Sequence, residues 1–212
     1  MARIVKVDAE GALAEAVTVL KGGGVVAYPS DTVYGLGAAA SDARAIERVF
    51  AAKGRDAGKA LSLLLADAAD LAPLSAEVSL AARVLAQRYW PGPLTVVLRR
   101  SPDFNSAALG GGDTVAVRVP DHPFLREFIR ALGEPITGTS ANASGRPACR
   151  SAEEVQQELG DAVDLIVDGG PSAAGPESTV VSLTGSLPKV LREGAIPRAD
   201  VERLGRISIA TS

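Results

Sequence analysis

Gly22-Gly23-Gly24-Val25-Val26-Ala27-Tyr28-Pro29-Ser30-Asp31-Thr32-Val33-Tyr34-Gly35-Leu36-Gly37 is the stretch on which the reading of the fold turns. Val25-Val26-Ala27-Tyr28 has the make-up of a buried strand, Pro29 stops it, and Ser30, Asp31 and Thr32 then place two hydroxyls and a carboxylate on a turn. Glycines at 35 and 37 allow backbone to approach a bound molecule closely. The stretch suggests a phosphate-cradling loop, although the Walker arrangement of spaced glycines followed by Lys and Ser/Thr is absent. A strand followed by an ordinary glycine-rich turn is the competing reading.

Working outward, residues 2–7 alternate as a strand, and Leu13, Ala16, Val17 and Leu20 repeat at helical spacing up to the glycine stop. Ser41-Asp42 is placed to cap a helix with Ile46, Val49 and Phe50 on its apolar face, ending at Lys53-Gly54-Arg55 and delivering two cations to one helix end. Residues 60–66 have strand length, and Val78, Ala81, Ala82, Leu85 and Tyr89 mark a second long amphipathic helix, ended by Trp90-Pro91-Gly92-Pro93. Strands are expected at 94–98 and 114–119, joined by a mobile polar loop over 101–113. Asp121 is expected to cap a helix carrying Phe124, Leu125, Phe128, Ile129 and Leu132, closed by Gly133-Glu134-Pro135. A polar segment at 137–142 follows, then a helix over 152–159, strands at 164–168, 178–183 and 189–192, and a helix over 198–204. The whole is an α/β layout, with 169–176 as a flexible or ligand-facing turn.

The totals narrow the function. A chain of 212 residues that is 47% hydrophobic has enough material for a sizeable core and fits one domain, 1–212, better than two. A formal net charge of −3 argues against coating nucleic acid by bulk positive charge, while leaving room for a local basic cleft. The single Cys149 excludes an intrachain disulfide and a multi-thiolate metal site, which suits a reducing cytoplasm; its plain reading is a buried thiol. The lone His122, in Pro120-Asp121-His122-Pro123, reads as a helix-start residue, so a Ser-His-Asp or Cys-His mechanism is not indicated. No run reaches the length of a membrane span and residues 1–8 lack the build of a signal peptide, so a soluble, cytoplasmic protein with no membrane partner is expected.

The informative polar residues are cations and hydroxyls near element ends: Lys53, Arg55, Lys59, Arg118 and Arg192, with Ser30, Thr32, Thr114, Thr139, Ser140, Asn142, Ser178 and Thr179. Guanidinium, ammonium and hydroxyl groups gathered at the strand ends of an α/β sheet suit a polyanion such as a nucleoside triphosphate. Taken singly, the same residues are as readily solvated surface charges and turn formers. Their order says more. Tyr28-Pro29-Ser30-Asp31-Thr32-Val33-Tyr34-Gly35-Leu36-Gly37, Lys53-Gly54-Arg55, Trp90-Pro91-Gly92-Pro93-Leu94-Thr95, Ala116-Val117-Arg118-Val119-Pro120, Thr139-Ser140-Ala141-Asn142, Ser178-Thr179-Val180 and Leu191-Arg192-Glu193-Gly194 occur in one succession. That succession resembles the YrdC family over nearly the whole chain.

The resemblance implies a threonylcarbamoyl-AMP synthase, joining L-threonine, bicarbonate or carbon dioxide, and ATP into threonylcarbamoyl-adenylate with release of pyrophosphate. It further implies a twisted mixed sheet with helices outside and a large concave electropositive cavity, in the YrdC/RibB-like manner. Carried over residue by residue, Thr32, Arg118 and Ser178 match residues that hold threonine, Arg55, Lys59, Thr114, Gly138, Ser140 and Arg192 match residues around the nucleotide, and Lys53, Arg55, Ser140 and Asn142 match the family's polar quartet. Magnesium would be held on the phosphates, largely by phosphate oxygens and water. The implied partners are a downstream tRNA threonylcarbamoyl transferase complex, with tRNA or double-stranded RNA as further candidates.

Three departures bear on substrate choice. The family reads Lys-Gly-Arg-Pro, then Pro-Leu and a histidine on the next strand; here Asp56 and Ala60 stand for the prolines and Leu64 for the histidine. An apolar wall rejects analogues less well than a hydrogen-bonding one, so the identity of the amino acid is the least constrained expectation. The alternatives are a paralogue using another carbamoyl or amino-acid substrate and a non-catalytic double-stranded RNA-binding module. The absence of acylphosphatase and zinc-finger segments speaks against a hydrogenase-maturation carbamoyltransferase, and the length leaves no room for the extra C-terminal domain of longer family members.

Overall fold

The strand expected at 25–28 is β2 (Val26–Tyr28), and the sheet is assembled around it. The computed structural model describes residues 2–172 and 175–210, so part of the segment 169–176, read as a ligand-facing turn, and Met1 lie outside the described residues. Along the chain run β1 (Arg3–Lys6), α1 (Ala12–Lys21), β2, β3 (Gly35–Gly37), α2 (Ala43–Lys53), β4 (Ser62–Leu64), α3 (Leu80–Tyr89), β5 (Leu94–Arg99), β6 (Thr114–Arg118) and α4 (Pro123–Leu132). There follow β7 (Ile136–Ser140), α5 (Ala152–Leu159), β8 (Leu165–Asp168), β9 (Thr179–Ser182), β10 (Lys189–Arg192) and α6 (Arg198–Ala210), with 3-10 turns at Ala68–Leu74 and Ala107–Leu109. Among the described residues, no helix is long and apolar enough to cross a membrane.

The sheet is mixed, in the order β1-β8-β2-β3-β7-β4-β6-β5-β9-β10. β1, β8 and β2 run parallel, β2 through β3 and β7 to β4 alternate antiparallel, and β4–β6 and β5–β9 are parallel pairs. Two of these strands escape the sequence reading: β3 is taken for a glycine-rich turn and β7 for a polar segment. Both lie at the centre of the sheet, where ladder hydrogen bonds stabilise a strand whatever its side chains. The glycines of β3 also serve a different end from the one expected. Tyr28 sits directly opposite Gly35 on the neighbouring strand, and a Cβ on Gly35 would run into the Tyr28 ring. At Gly37 a Cβ would run into the Thr137 carbonyl. What comes close to this backbone is the protein's own tyrosine and the next strand, with Tyr28 Oη donating to the Thr137 carbonyl at 2.8 Å.

Period-two alternation divides the sheet between two cores. Val25, Ala27, Leu63, Leu65, Val96, Val117 and Ile166 face one side, where they bury against α2, α3, α5 and α6. Val26, Tyr28, Leu64, Leu165 and Val167 face the other, against α1 and α4. The first face is covered along its length. The second is covered by α1 and α4 over β1, β8 and β2 and as far as Ile136 of β7 and Leu64 of β4, while among the described residues β6, β5, β9 and β10 contribute nothing to that cluster.

The α4 helix shows how the covered half is held. Leu125, Phe128, Ile129 and Leu132 recur at helical spacing and are all buried, and Phe128→Ala there would cost about 3–5 kcal/mol. Its cap is His122, whose Nδ1 accepts from the Leu125 amide, in place of the expected Asp121; Pro123 then takes the first helical position, where its missing N–H costs nothing. Burial holds the His122 imidazole below its ordinary range, which suits an acceptor. The segment 101–113, expected to be a mobile loop, is anchored at its middle. Ala108 and Leu109 are buried, Ser106 Oγ donates to the Ala40 carbonyl at 2.6 Å, and the Ala108 carbonyl accepts from the Leu61 amide at 2.8 Å.

Candidate active site

The helix-free half of the sheet curves into a cavity of about 350 Å³, within the range of small-molecule sites. Its floor is made of strand residues on the side away from the larger core: Ser62 and Leu64 of β4, Ala116 and Arg118 of β6, Gly138 and Ser140 of β7, Thr95 of β5 and Val180 of β9, with Leu64 at the border of the second core. The lining holds three arginines, Arg55, Arg118 and Arg192, against one carboxylate, Glu177. Each arginine is held by oxygen acceptors, and how deeply it is held differs from one end of the cavity to the other.

At the inner end, beside Leu64 in the sheet register, Arg118 is almost sealed, its side chain 9% exposed. Nε donates to the Gly92 carbonyl at 3.0 Å, Nη1 to Thr32 Oγ1 at 3.2 Å and Nη2 to Asp31 Oδ1 at 2.6 Å. The turn that carries Asp31 and Thr32 is itself tied down. Ser30 Oγ donates its one proton to the Val33 carbonyl at 2.6 Å and accepts from the Thr32 amide, so in the 3.2 Å contact between the two hydroxyls Thr32 is the donor. Thr32 Oγ1 therefore gives its proton to Ser30, accepts from Arg118, and keeps one lone pair for a ligand.

Toward the mouth, Ser178 Oγ pairs with Thr95 Oγ1 at 2.9 Å in a buried contact. Arg192 folds back onto the same residue: Nη2 donates to the Ser178 carbonyl at 2.9 Å and to Ser178 Oγ at 3.2 Å, and Nη1 meets Glu177 Oε2 at 2.5 Å. This pair is open to solvent, with side chains 48% and 40% exposed. Arg55 is steered by loop carbonyls, Nε to that of Lys59 at 3.2 Å and Nη2 to that of Ala60 at 2.9 Å.

The two cations expected to arrive together at the end of α2 part company. Lys53 is the last helical residue and is buried; Gly54 then turns the chain through a left-handed conformation, φ 57°, and Arg55 emerges into the cavity. Lys53 Nζ donates to the Ser140 carbonyl at 2.6 Å and the Asn142 carbonyl at 2.7 Å, fixing the turn that presents Ser140. Burial, with a smaller contribution from the nearby Arg55, pulls its pKa from 10.5 down to about 8. Asn142 is buried beside it and spends its amide on the Ala143 and Arg146 carbonyls at 2.9 and 2.7 Å.

Of the residues singled out from the sequence, Thr32, Arg55, Arg118, Gly138, Ser140, Ser178 and Arg192 converge on this cavity. Lys53 and Asn142 support it from beneath, and neither they nor the exposed Lys59 and the strand-start Thr114 contribute to its lining. The sequence reading names Asp31 only as a carboxylate on a turn, with no role in the site, and passes over Thr95, Glu177, Ser62 and Tyr34. Asp31 and Thr95 stood inside the quoted motifs and Glu177 beside one, so only pairing distances could have raised them. Tyr34 closes the wall, donating from Oη to the Gly170 carbonyl at 2.8 Å and accepting from the Gly169 amide at 3.1 Å; burial pushes its pKa up to about 12. Cys149 is buried, its thiol pushed up to about 11 chiefly by burial, which fits its reading as a packing residue.

Comparison with known proteins bears on this site. The family model Sua5_yciO_yrdC, described as "Telomere recombination", matches residues 18–194. The threonylcarbamoyl-AMP synthase of Pyrococcus abyssi is 42% identical over 191 residues, covering 90% of this chain and 56% of the relative. That of Bacillus subtilis is 41% identical over 191 residues, covering 90% and 55%. The crystal structure of P. abyssi Sua5 complexed with L-threonine superimposes with a TM-score of 0.89 at 40% identity, covering 96% of this chain and 60% of that one. The chain thus spans little more than half the length of the two curated relatives it matches.

Proposed function

Since the chain belongs to the Sua5–YciO–YrdC family, we propose that it condenses L-threonine, carbon dioxide or bicarbonate, and ATP into threonylcarbamoyl-adenylate and pyrophosphate. The observation that carries this is the division of one cavity into two differently built ends. Arg118 and Thr32 suit a small hydroxylated amino acid, Arg55, Ser140 and Arg192 suit a triphosphate, and Ser178, bonded by Arg192, lies where the two ends meet. In this reading Arg118 takes the carboxylate, the free lone pair of Thr32 Oγ1 meets a donor of the amino acid, and Ser178 with Thr95 closes that subsite.

The chemistry asks for placement more than for a nucleophile on the protein. The threonine amine attacks carbon dioxide and loses a proton, forming a carbamate. A carbamate oxygen then attacks the α-phosphorus, and the bond to the β-phosphate oxygen breaks to release pyrophosphate. Arg55 and Arg192 offset the charge that gathers on the leaving phosphates. ATP enters with its magnesium ion as part of the substrate. Among the described residues no cluster of three metal-ligating side chains occurs, and Glu177 is engaged by Arg192, so phosphate oxygens and water would carry that ion. The product would feed a cytoplasmic tRNA-modifying transfer step.

The test is incubation of the protein with ATP, magnesium, bicarbonate and labelled threonine, followed by detection of the mixed adenylate and of pyrophosphate. Product with threonine and none with other amino acids supports the proposal. Binding of double-stranded RNA that falls steeply with salt and ignores ATP, without product, would overturn it.

A further inference from the structure

Asp31 is absent from the cavity lining, yet its carboxylate lies 2.6 Å from the guanidinium most deeply set in the cavity. Its own side chain is 14% exposed, so the Asp31–Arg118 ion pair is largely withdrawn from water. A guanidinium carries five N–H groups. Three are spent: Nε on the Gly92 carbonyl, one proton of Nη1 on Thr32 and one of Nη2 on Asp31. The remaining two, one on each terminal nitrogen, are available to oxygen atoms of a ligand.

We propose that Asp31 is a positioning residue, holding Arg118 from behind so that its two uncommitted N–H groups are presented to the carboxylate of the amino-acid substrate. This rests on the reading of Arg118 given above. The neighbouring wall is Leu64, Ala116 and Pro120, whose side chains offer no acceptor, so the direction of the guanidinium is set by Asp31, Thr32 and Gly92 alone. Asp31 supplies the full charge among the three and the shortest bond. It is itself fixed, because it sits on the turn closed by the Ser30 hydrogen bonds to Thr32 and Val33. Asp31 also offsets the charge of Arg118, leaving the inner end matched to a zwitterion, and the polyanion to Arg55 and Arg192.

The experiment compares wild type, Asp31→Ala and Asp31→Asn in three readouts: pyrophosphate release against threonine concentration, ATP affinity by titration without threonine, and solvent exchange of the Arg118 Nε–H in nitrogen-15 spectra, assigned by its disappearance in Arg118→Lys. Loss of one charge-assisted hydrogen bond predicts a rise of about 10- to 100-fold in threonine KM for Asp31→Ala, with ATP affinity unchanged within about twofold. Asp31→Asn keeps an oxygen acceptor and should recover part of that loss. If Asp31→Ala does not fold, Asp31→Asn carries the test with the same sign. An unchanged threonine KM, or an equal loss of ATP affinity, overturns the proposal. If wild type turns over no threonine, the functional reading fails separately, and exchange of the Arg118 Nε–H decides on Asp31: faster in the variants upholds it, unchanged overturns it.

Discussion

The two ends of the cavity use the same side chain in opposite ways. Arg118 is sealed into the sheet and tied to a buried carboxylate, whereas Arg192 pairs with Glu177 in the open and Arg55 rests on the carbonyls of a surface loop. Fixed geometry suits a small ligand recognised by shape and hydrogen bonds. Open, re-pairable arginines suit a long, flexible polyanion that arrives hydrated and leaves in two pieces. A buried ion pair also contributes in a different way: breaking one leaves an uncompensated charge, at about 3–5 kcal/mol, while an exposed pair contributes about 0–1 kcal/mol.

Arg118→Ala is the strongest test of that contrast. It should abolish threonine-dependent product, a fall of about 1,000-fold or more, and lower the melting temperature by several degrees, because Asp31 is left buried and unpaired. Pyrophosphate release and thermal denaturation check both. Arg55→Ala should cost about 100-fold in turnover with an unchanged melting temperature, since its partners are surface carbonyls. A matching loss of stability there would break the distinction. Lys53 supplies a test by pH. Its folded pKa is depressed from 10.5 to about 8, so between those values the unfolded chain binds more protons and this group's contribution makes stability rise with pH. ATP affinity should move the other way, falling about tenfold or less above pH 8 as the ammonium that braces the Ser140 turn is neutralised. Glu177→Gln should have the smallest effect, a few-fold change in ATP KM with no change in melting temperature, because Arg192 keeps its bonds to Ser178.

Much of this was legible in the sequence, and the illegible part has a physical pattern. Strands with an apolar face announced themselves, as in 94–98 and 114–119, and so did helices with a clear cap such as Asp42. β3 and β7 did not, since Gly35, Gly37, Gly138 and Ser140 are chosen for close approach and for the cavity, not for strand propensity. The charged residues that line the cavity, Arg55, Arg118 and Arg192, were visible by type. Residues that act by holding those, Asp31 and Glu177, look like any surface carboxylate until a distance is measured. Lys53 is the converse case: a lysine beside an arginine at a helix end looks like its equal, yet it is buried on two carbonyls while Arg55 enters the cavity, and only Gly54 separates them.

The uncovered half of the sheet has a consequence for how such a site can change over time. Its floor residues alternate along each strand with residues that belong to the opposite core, as Ala116 and Arg118 alternate with Val115 and Val117. Inheritance therefore acts on two nearly independent texts written in the same strand, one for folding and one for recognition. Ala116 is a position in the second text alone, Leu64 is shared by both, and a new ligand preference can be reached one alternate position at a time without passing through an unfolded ancestor.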